Sequence, residues 1–371
     1  MNFDFSDDLN QLREQARRFL KDQSSTKAVR AILEGGDTYD RALWKGMADM
    51  GWLGAAVPEA YGGADLGHEG LCVLAEEVGR AIAPVPFGSS VYLATEALLA
   101  HGSEAQREHS LPAMVKGSRI GTFALAEGLG NPSARAVNAR VENGRLSGEK
   151  WPVADGDVAD FAIVVAKDPT DAVGLYLVEL DAAGVTRTPL KSVDPTRNQS
   201  RIGFDQAPAQ PLGEGAQGWA AVERLLDRAA VLMAFEQVGG ASACLEMAKD
   251  YALNRYAFGR QIASFQAIKH KLADMYVNNE IARSNAYYGA WALSTGSAEL
   301  PEAAAGARVS ATQAYDYASK ENIQTHGGMG FTWELDCQLY FRRARTDGLS
   351  LGPARAWKER LVQQLERKNA A

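Results

Sequence analysis

Arg255-Tyr256-Ala257-Phe258-Gly259-Arg260-Gln261, followed by Phe265-Gln266-Ala267-Ile268-Lys269 and Leu272-Ala273-Asp274-Met275, is the stretch on which the fold of this chain turns. It joins two helical patterns. Upstream, Trp219, Val222, Leu226, Ala229 and Met233 recur at helical spacing and form one stripe. Downstream, Phe265, Ile268, Leu272, Met275 and Ile281 predict a second long helix. A third pattern runs from about Ala303 to Gln324 and stops at Gly327-Gly328, where glycine is the common residue just past a helix end.

The rest of the chain differs in texture. Leu9, Leu12, Ala16 and Phe19-Leu20 predict a first helix behind Ser6 as its N-cap. Helical spacing returns from Tyr39 to Met50, from Gly70 to Val78 and from Val91 to Leu99. A turn-rich loop, Val57-Pro58-Glu59-Ala60-Tyr61-Gly62-Gly63, interrupts them. In the middle, short apolar runs such as Phe161-Ala162-Ile163-Val164-Val165 and Leu175-Tyr176-Leu177-Val178 alternate with Gly, Pro, Asn and Asp. Asn143-Gly144 between alternating segments predicts a tight hairpin. The fold class is therefore α+β: a helical domain over 1–118, an antiparallel β-domain over 119–213 and a helical bundle, expected to be four-helix, over 214–371.

Bulk properties narrow the function. The 371 residues are 46% hydrophobic and 23% charged, enough for a sizeable core. A formal net charge of -7 argues against nucleic acid as the main partner, since phosphate neutralisation needs a basic surface. Cys72, Cys244 and Cys337 are far apart, and the five histidines lack ligand spacing, so no metal site is expected. The acidic N-terminus, without a basic segment and apolar stretch, and the absence of a long apolar run predict a cytoplasmic protein with no membrane association.

The quoted stretch resembles the R-x-x-F-G signature of the acyl-CoA dehydrogenases. Gln324-Thr325-His326-Gly327-Gly328-Met329-Gly330 is similar to their Q-x-x-G-G-x-G motif, and Pro58-Glu59-Ala60-Tyr61-Gly62-Gly63 to their P-E-x-Y-G-G loop. Gly148-Glu149-Lys150-Trp151 with Ala159-Asp160 resembles their β-domain segment beside the flavin. The resemblance runs the whole length and implies an acyl-CoA substrate, FAD as cofactor and electron-transferring flavoprotein as electron acceptor. It also implies that Arg255, Phe258, Gln266, Gln324, Gly327 and Gly328 grip the adenosine-diphosphate end of a neighbouring subunit's FAD, with Glu127 and Trp151 near the ring. The residue chemistry agrees, because an arginine and glycine-rich backbone amides can neutralise a pyrophosphate.

The chain departs from that family at the chemistry. The family's carboxylate base takes the α-proton while the flavin takes a hydride from the β-carbon. Aligned on Gly352, the base position holds Leu351, and the earlier alternative position falls on Ala229-Ala230. Glu223, Asp227 and Asp347 are the remaining candidate acids, and Asp227 lies about 200° around a helix from Ala229. In Leu125-Ala126-Glu127-Gly128-Leu129-Gly130-Asn131-Pro132-Ser133 an alanine replaces the usual threonine, and Trp151-Pro152-Val153 also lacks a hydroxyl. Arg342-Arg343-Ala344-Arg345 reads as a solvated helix face, or as a contact for CoA phosphates or a subunit. Three readings stand: a self-sufficient homotetrameric dehydrogenase with an unusual base, a partner chain in an α2β2 complex of the kind used on steroids, or a flavin-free scaffold.

Overall fold

The computed structural model describes residues 5–214 and 217–370. Along the chain the helices are α1 (Asp7–Gln23), α2 (Thr26–Gly35), α3 (Arg41–Asp49), α4 (Gly67–Arg80), α5 (Glu96–His101), α6 (Glu104–Val115), α7 (Trp219–Asn254), α8 (Gln266–Ser294), α9 (Leu300–His326), α10 (Cys337–Leu349) and α11 (Ala354–Ala370). The strands are β1 (Gly121–Ala124), β2 (Arg140–Glu142), β3 (Arg145–Ala154), β4 (Phe161–Lys167), β5 (Val173–Glu179), β6 (Val185–Leu190), β7 (Gln199–Pro208), β8 (Gln210–Pro211), β9 (Tyr256–Ala257) and β10 (Arg260–Gln261). Helices, sheet and helices follow one another as expected. Two compact units form, one from Met1–Ala31, His68–Ala83 and Ala230–Ala371, the other from Ile32–Gly67 and Pro84–Ala229.

In the second unit the sheet order is β6-β7-β3-β2-β4-β5-β8, with β1 on β4. The predicted hairpin forms at Asn143 (φ 51°) and Gly144 (φ 73°), pairing Glu142 with Arg145 and Val141 with Leu146. Two positive φ angles in succession match the right-handed strand twist, which is why Asn-Gly is favoured there. One expectation needs correction: the sheet is mixed, because β1 runs parallel to β4 and Arg140 of β2 also pairs parallel with Lys167. The β1–β4 pairing is non-local, and its strands read as continuous buried runs with no alternation to reveal direction. Tyr61-Gly62-Gly63 is the expected turn, with Gly62 at φ 82°. A Cβ on Gly63 would lie 1.9 Å from the Val57 carbonyl oxygen, so only glycine fits.

In the first unit α1 starts on Ser6, whose hydroxyl accepts from the Leu9 amide, and buries Ala16 and Leu20. Helix α7 is buried on all sides: from Leu225 to Cys244 every residue except Arg228 is buried, so the predicted single stripe is too narrow. Its Ala- and Gly-rich middle lets neighbours approach closely. Helices α4 and α7 cross through Glu76-Glu77-Val78-Gly79 and Glu236-Gln237-Val238-Gly239. A Cβ on Gly79 would meet the Glu236 carbonyl oxygen at 1.9 Å, and one on Gly239 the Glu76 carbonyl oxygen at 1.8 Å. The acids that accompany this crossing are buried and matched by arginines. Glu76 meets Arg283 at 2.5 Å and Arg13 at 3.8 Å, Glu77 meets Arg17 at 2.8 Å and Arg80 at 3.7 Å, and Glu236 meets Arg343 at 3.9 Å. No helix among the described residues is long and apolar enough to cross a membrane.

Gly239→Ala tests the crossing. An alanine normally gains about 1 kcal/mol in a helix. Here the added methyl should cost about 1–3 kcal/mol or more through overpacking, seen as a lower urea midpoint.

Candidate functional site

The arm begins where α7 ends. β9 and β10 pair antiparallel around Phe258 (φ 53°) and Gly259 (φ 78°), a two-residue turn with both angles positive. Phe258 is 96% exposed and meets Phe265 edge-on at 6.2 Å, while the Arg260 guanidinium lies 4.1 Å from the Phe265 ring centre. Gln266 is the first residue of α8.

At the end of α9 the buried His326 ring is bonded through Nδ1 to the Asn322 carbonyl at 2.8 Å and rests on Tyr251 at 4.1 Å between ring centres. Burial lowers its pKa from the usual value. That contact joins the last turn of α9 to the last turn of α7, and a Lys271–Glu321 ion pair joins α8 to α9. Arg255, Phe258, Gln266, Gln324, Gly327 and Gly328 are thereby gathered at one end of the bundle, all exposed. Gly327 adopts φ 60° and ψ -141°, outside what a side chain tolerates, and a Cβ on Gly327 or Gly328 would meet nothing within 4 Å. Among the described residues no carboxylate pairs with Arg255. An unpaired guanidinium and open glycine backbone at the same end of the bundle are the kinds of group that suit an external diphosphate.

In the other unit Glu127 and Trp151 lie side by side. The Gly128 amide donates to the Trp151 carbonyl at 2.9 Å, and the Trp151 amide to the Ala126 carbonyl at 2.8 Å. Glu127 accepts from the Asn138 and Ala139 amides at 2.7 and 3.0 Å and from Lys150 Nζ at 2.6 Å. Burial lowers the Lys150 pKa to about 8 despite the Glu127 charge. Burial also pushes Glu127 up, but Lys150 and the two amides outweigh it and hold the carboxyl below its usual value. The Arg201 guanidinium covers the Trp151 ring at 4.6 Å. The pocket over residues 125–137 measures about 70 Å³, room for a few waters. Lys150 was legible as an inward lysine, since it shares the strand face of buried Leu146.

The candidate acids are scattered. Glu223 is exposed, Asp227 and Asp347 are buried, and Asp227 and Ala229 belong to the second unit whereas Asp347 belongs to the first. Leu351 sits at φ 62° between α10 and α11. The basic run also needs correction. Arg343 is 1% exposed and turned inward against Glu236, so it is not a solvated face. Arg345 pairs with Asp316 at 2.7 Å. No cluster of metal-ligating side chains occurs among the described residues.

Residues 6–118 match the N-terminal domain of acyl-CoA dehydrogenases, and residues 216–364 match their C-terminal domain. A protein named acyl-CoA dehydrogenase IpdE2 from Mycolicibacterium smegmatis is 34% identical over 97% of this chain and 99% of its own length. This chain belongs to the acyl-CoA dehydrogenase family. Its members are flavoprotein oxidoreductases that act on CH–CH donors with FAD. Among solved structures, a steroid acyl-CoA dehydrogenase variant named Tcur3481-Tcur3483 superposes with a TM-score of 0.90 at 34% identity, covering 98% of this chain and 99% of that one. The ChsE4-ChsE5 complex from Mycobacterium tuberculosis superposes with a TM-score of 0.90 at 26% identity, covering 99% of each chain.

Removing one partner of the Glu127–Lys150 pair strands a buried charge. Lys150→Met should cost about 3–5 kcal/mol, and the double variant Glu127→Gln, Lys150→Met should recover most of it. Urea midpoints for the wild type and the variants check this.

Proposed function

We propose that this chain is the partner subunit of a heteromeric acyl-CoA dehydrogenase acting on a steroid-derived thioester. The reading rests on Leu351, which falls where alignment on Gly352 puts the proton-abstracting carboxylate, in a chain that keeps Arg255, Phe258, Gln266, Gln324, Gly327 and Gly328 exposed. Two relatives named for two components each, Tcur3481-Tcur3483 and ChsE4-ChsE5, support the paired assembly, and the first supports a steroid substrate.

When bound, FAD supplies the acceptor for hydride from the β-carbon of the thioester. In this reading the chain's own residues bind and orient. Arg255 and the Gly327-Gly328 amides neutralise the diphosphate, and Gln266 and Gln324 hydrogen-bond the adenosine or ribitol groups. Phe258 gives the arm an apolar tip to bury in the partner, whose carboxylate removes the α-proton. Glu223, Asp227 and Asp347 then need no catalytic role, and electrons leave through an electron-transferring flavoprotein. The second chain is a dehydrogenase of the same fold, which would explain why so large an aromatic as Phe258 stands exposed here.

Arg255→Ala in the co-expressed complex tests this. A lost charge-assisted bond of about 1.5–3 kcal/mol should weaken FAD binding roughly ten- to hundredfold, measured as flavin retained per complex after dialysis. Unchanged flavin content with an intact complex would remove Arg255 from the site.

A further inference from the structure

Arg308 is fully buried in the first third of α9, and its guanidinium is shared between side chains and main chain. Nη1 donates to Gln237 Oε1 and, at 2.8 Å, to Thr312 Oγ1. Nη2 donates to two carbonyls at the end of α10, those of Asp347 and, at 2.6 Å, Ser350. The last carbonyls of a helix have no partner within it, and a cation there also complements the helix dipole.

Three further carbonyls of this segment are also occupied. The Ser350 amide donates to the Thr346 carbonyl at 3.0 Å and the Gly352 amide to the Leu349 carbonyl at 3.1 Å. Trp357 Nε1, from α11, donates to the Leu351 carbonyl at 3.1 Å. Between these clasps Leu351 holds φ 62° and Gly352 holds φ 98°. A leucine stays in the left-handed region only where its surroundings determine it. Here the determinants are Arg308 on one side and Trp357 on the other.

We infer that Arg308 is a positioning residue that fixes the turn between α10 and α11 in one conformation, so that residues 350–352 form a rigid wall and not a segment that rearranges around a thioester. This rests on the partner-subunit reading for its meaning, because a catalytic turn would have to present a carboxylate from the same place. The lock itself stands on the Arg308 and Trp357 contacts alone. Arg308 Nη2 bonds both turn carbonyls while Nη1 braces the guanidinium against Gln237 and Thr312, and the carbonyls of Ser350 and Leu351 each already accept a hydrogen bond.

Hydrogen exchange of the purified protein, in whatever assembly it forms, reads the lock directly. In Arg308→Met, amides of residues 346–352 should exchange at least tenfold faster while those of α1 keep their wild-type rates. Arg308→Lys keeps the charge, but its single, shorter ammonium has three donors and cannot serve the Gln237, Thr312, Asp347 and Ser350 acceptors at once, so it should fall between the two. Rates in 346–352 within twofold of wild type, or acceleration spread equally over α1, would overturn the assignment. Should Arg308→Met not fold, Arg308→Lys decides alone: acceleration confined to 346–352 supports the lock and its absence refutes it. A chain that purifies alone with flavin and reduces dye on a CoA thioester would sink the partner reading without touching this result.

Discussion

The close crossing of α4 and α7 is the constraint on which the first unit depends. Each helix presents a glycine to a glutamate carbonyl of the other, so the two backbones touch with no side chain between them. At that distance the glutamates Glu76, Glu77 and Glu236 cannot reach water, and burying a charge is costly unless it is paired. Arg13, Arg17, Arg80, Arg283 and Arg343 supply the pairing from α1, α4, α8 and α10. One tight contact therefore dictates charges on three other helices and at the end of α4 itself.

That explains why arginines that look like surface charge in sequence do different work. Arg343 belongs to the buried set and Arg308 closes the end of α10, while Arg255 is exposed and has no carboxylate partner among the described residues. Position in the fold separates them, since all three sit in helices or at a helix end. The arm is built in the same economical way: a two-residue turn at Phe258-Gly259, a histidine resting on Tyr251, and a glycine at φ 60° bring two sequence-distant stretches, 255–266 and 324–328, to one end. The β-domain's loop depends instead on a single buried ion pair, Glu127 with Lys150.

Much of this was legible in sequence where local chemistry decides. The Asn143-Gly144 hairpin, the Ser6 cap, the turn at Tyr61-Gly62-Gly63 and the long helices each follow from spacing and backbone preference. Parallel pairing of β1 with β4 was not, because strand direction depends on partners far away in the chain. The full burial of α7 was hidden because small residues pack on every face without leaving a polar stripe. The inward turn of Arg343 was hidden for a related reason: its partner Glu236 lies more than a hundred residues upstream. Among the site residues, the arm was read from motif order, whereas Lys150 needed the face parity of its strand.

The proposal that flavin chemistry here needs a second chain rests on Leu351 at the position where the resemblance puts the base, in a chain that keeps the residues of the arm. The most direct measurement is the flavin absorbance of the chain purified alone and after co-expression with its dehydrogenase-like neighbour. The partner role predicts a colourless chain alone and a yellow complex that oxidises a CoA thioester. A yellow, active protein from this chain alone would contradict it.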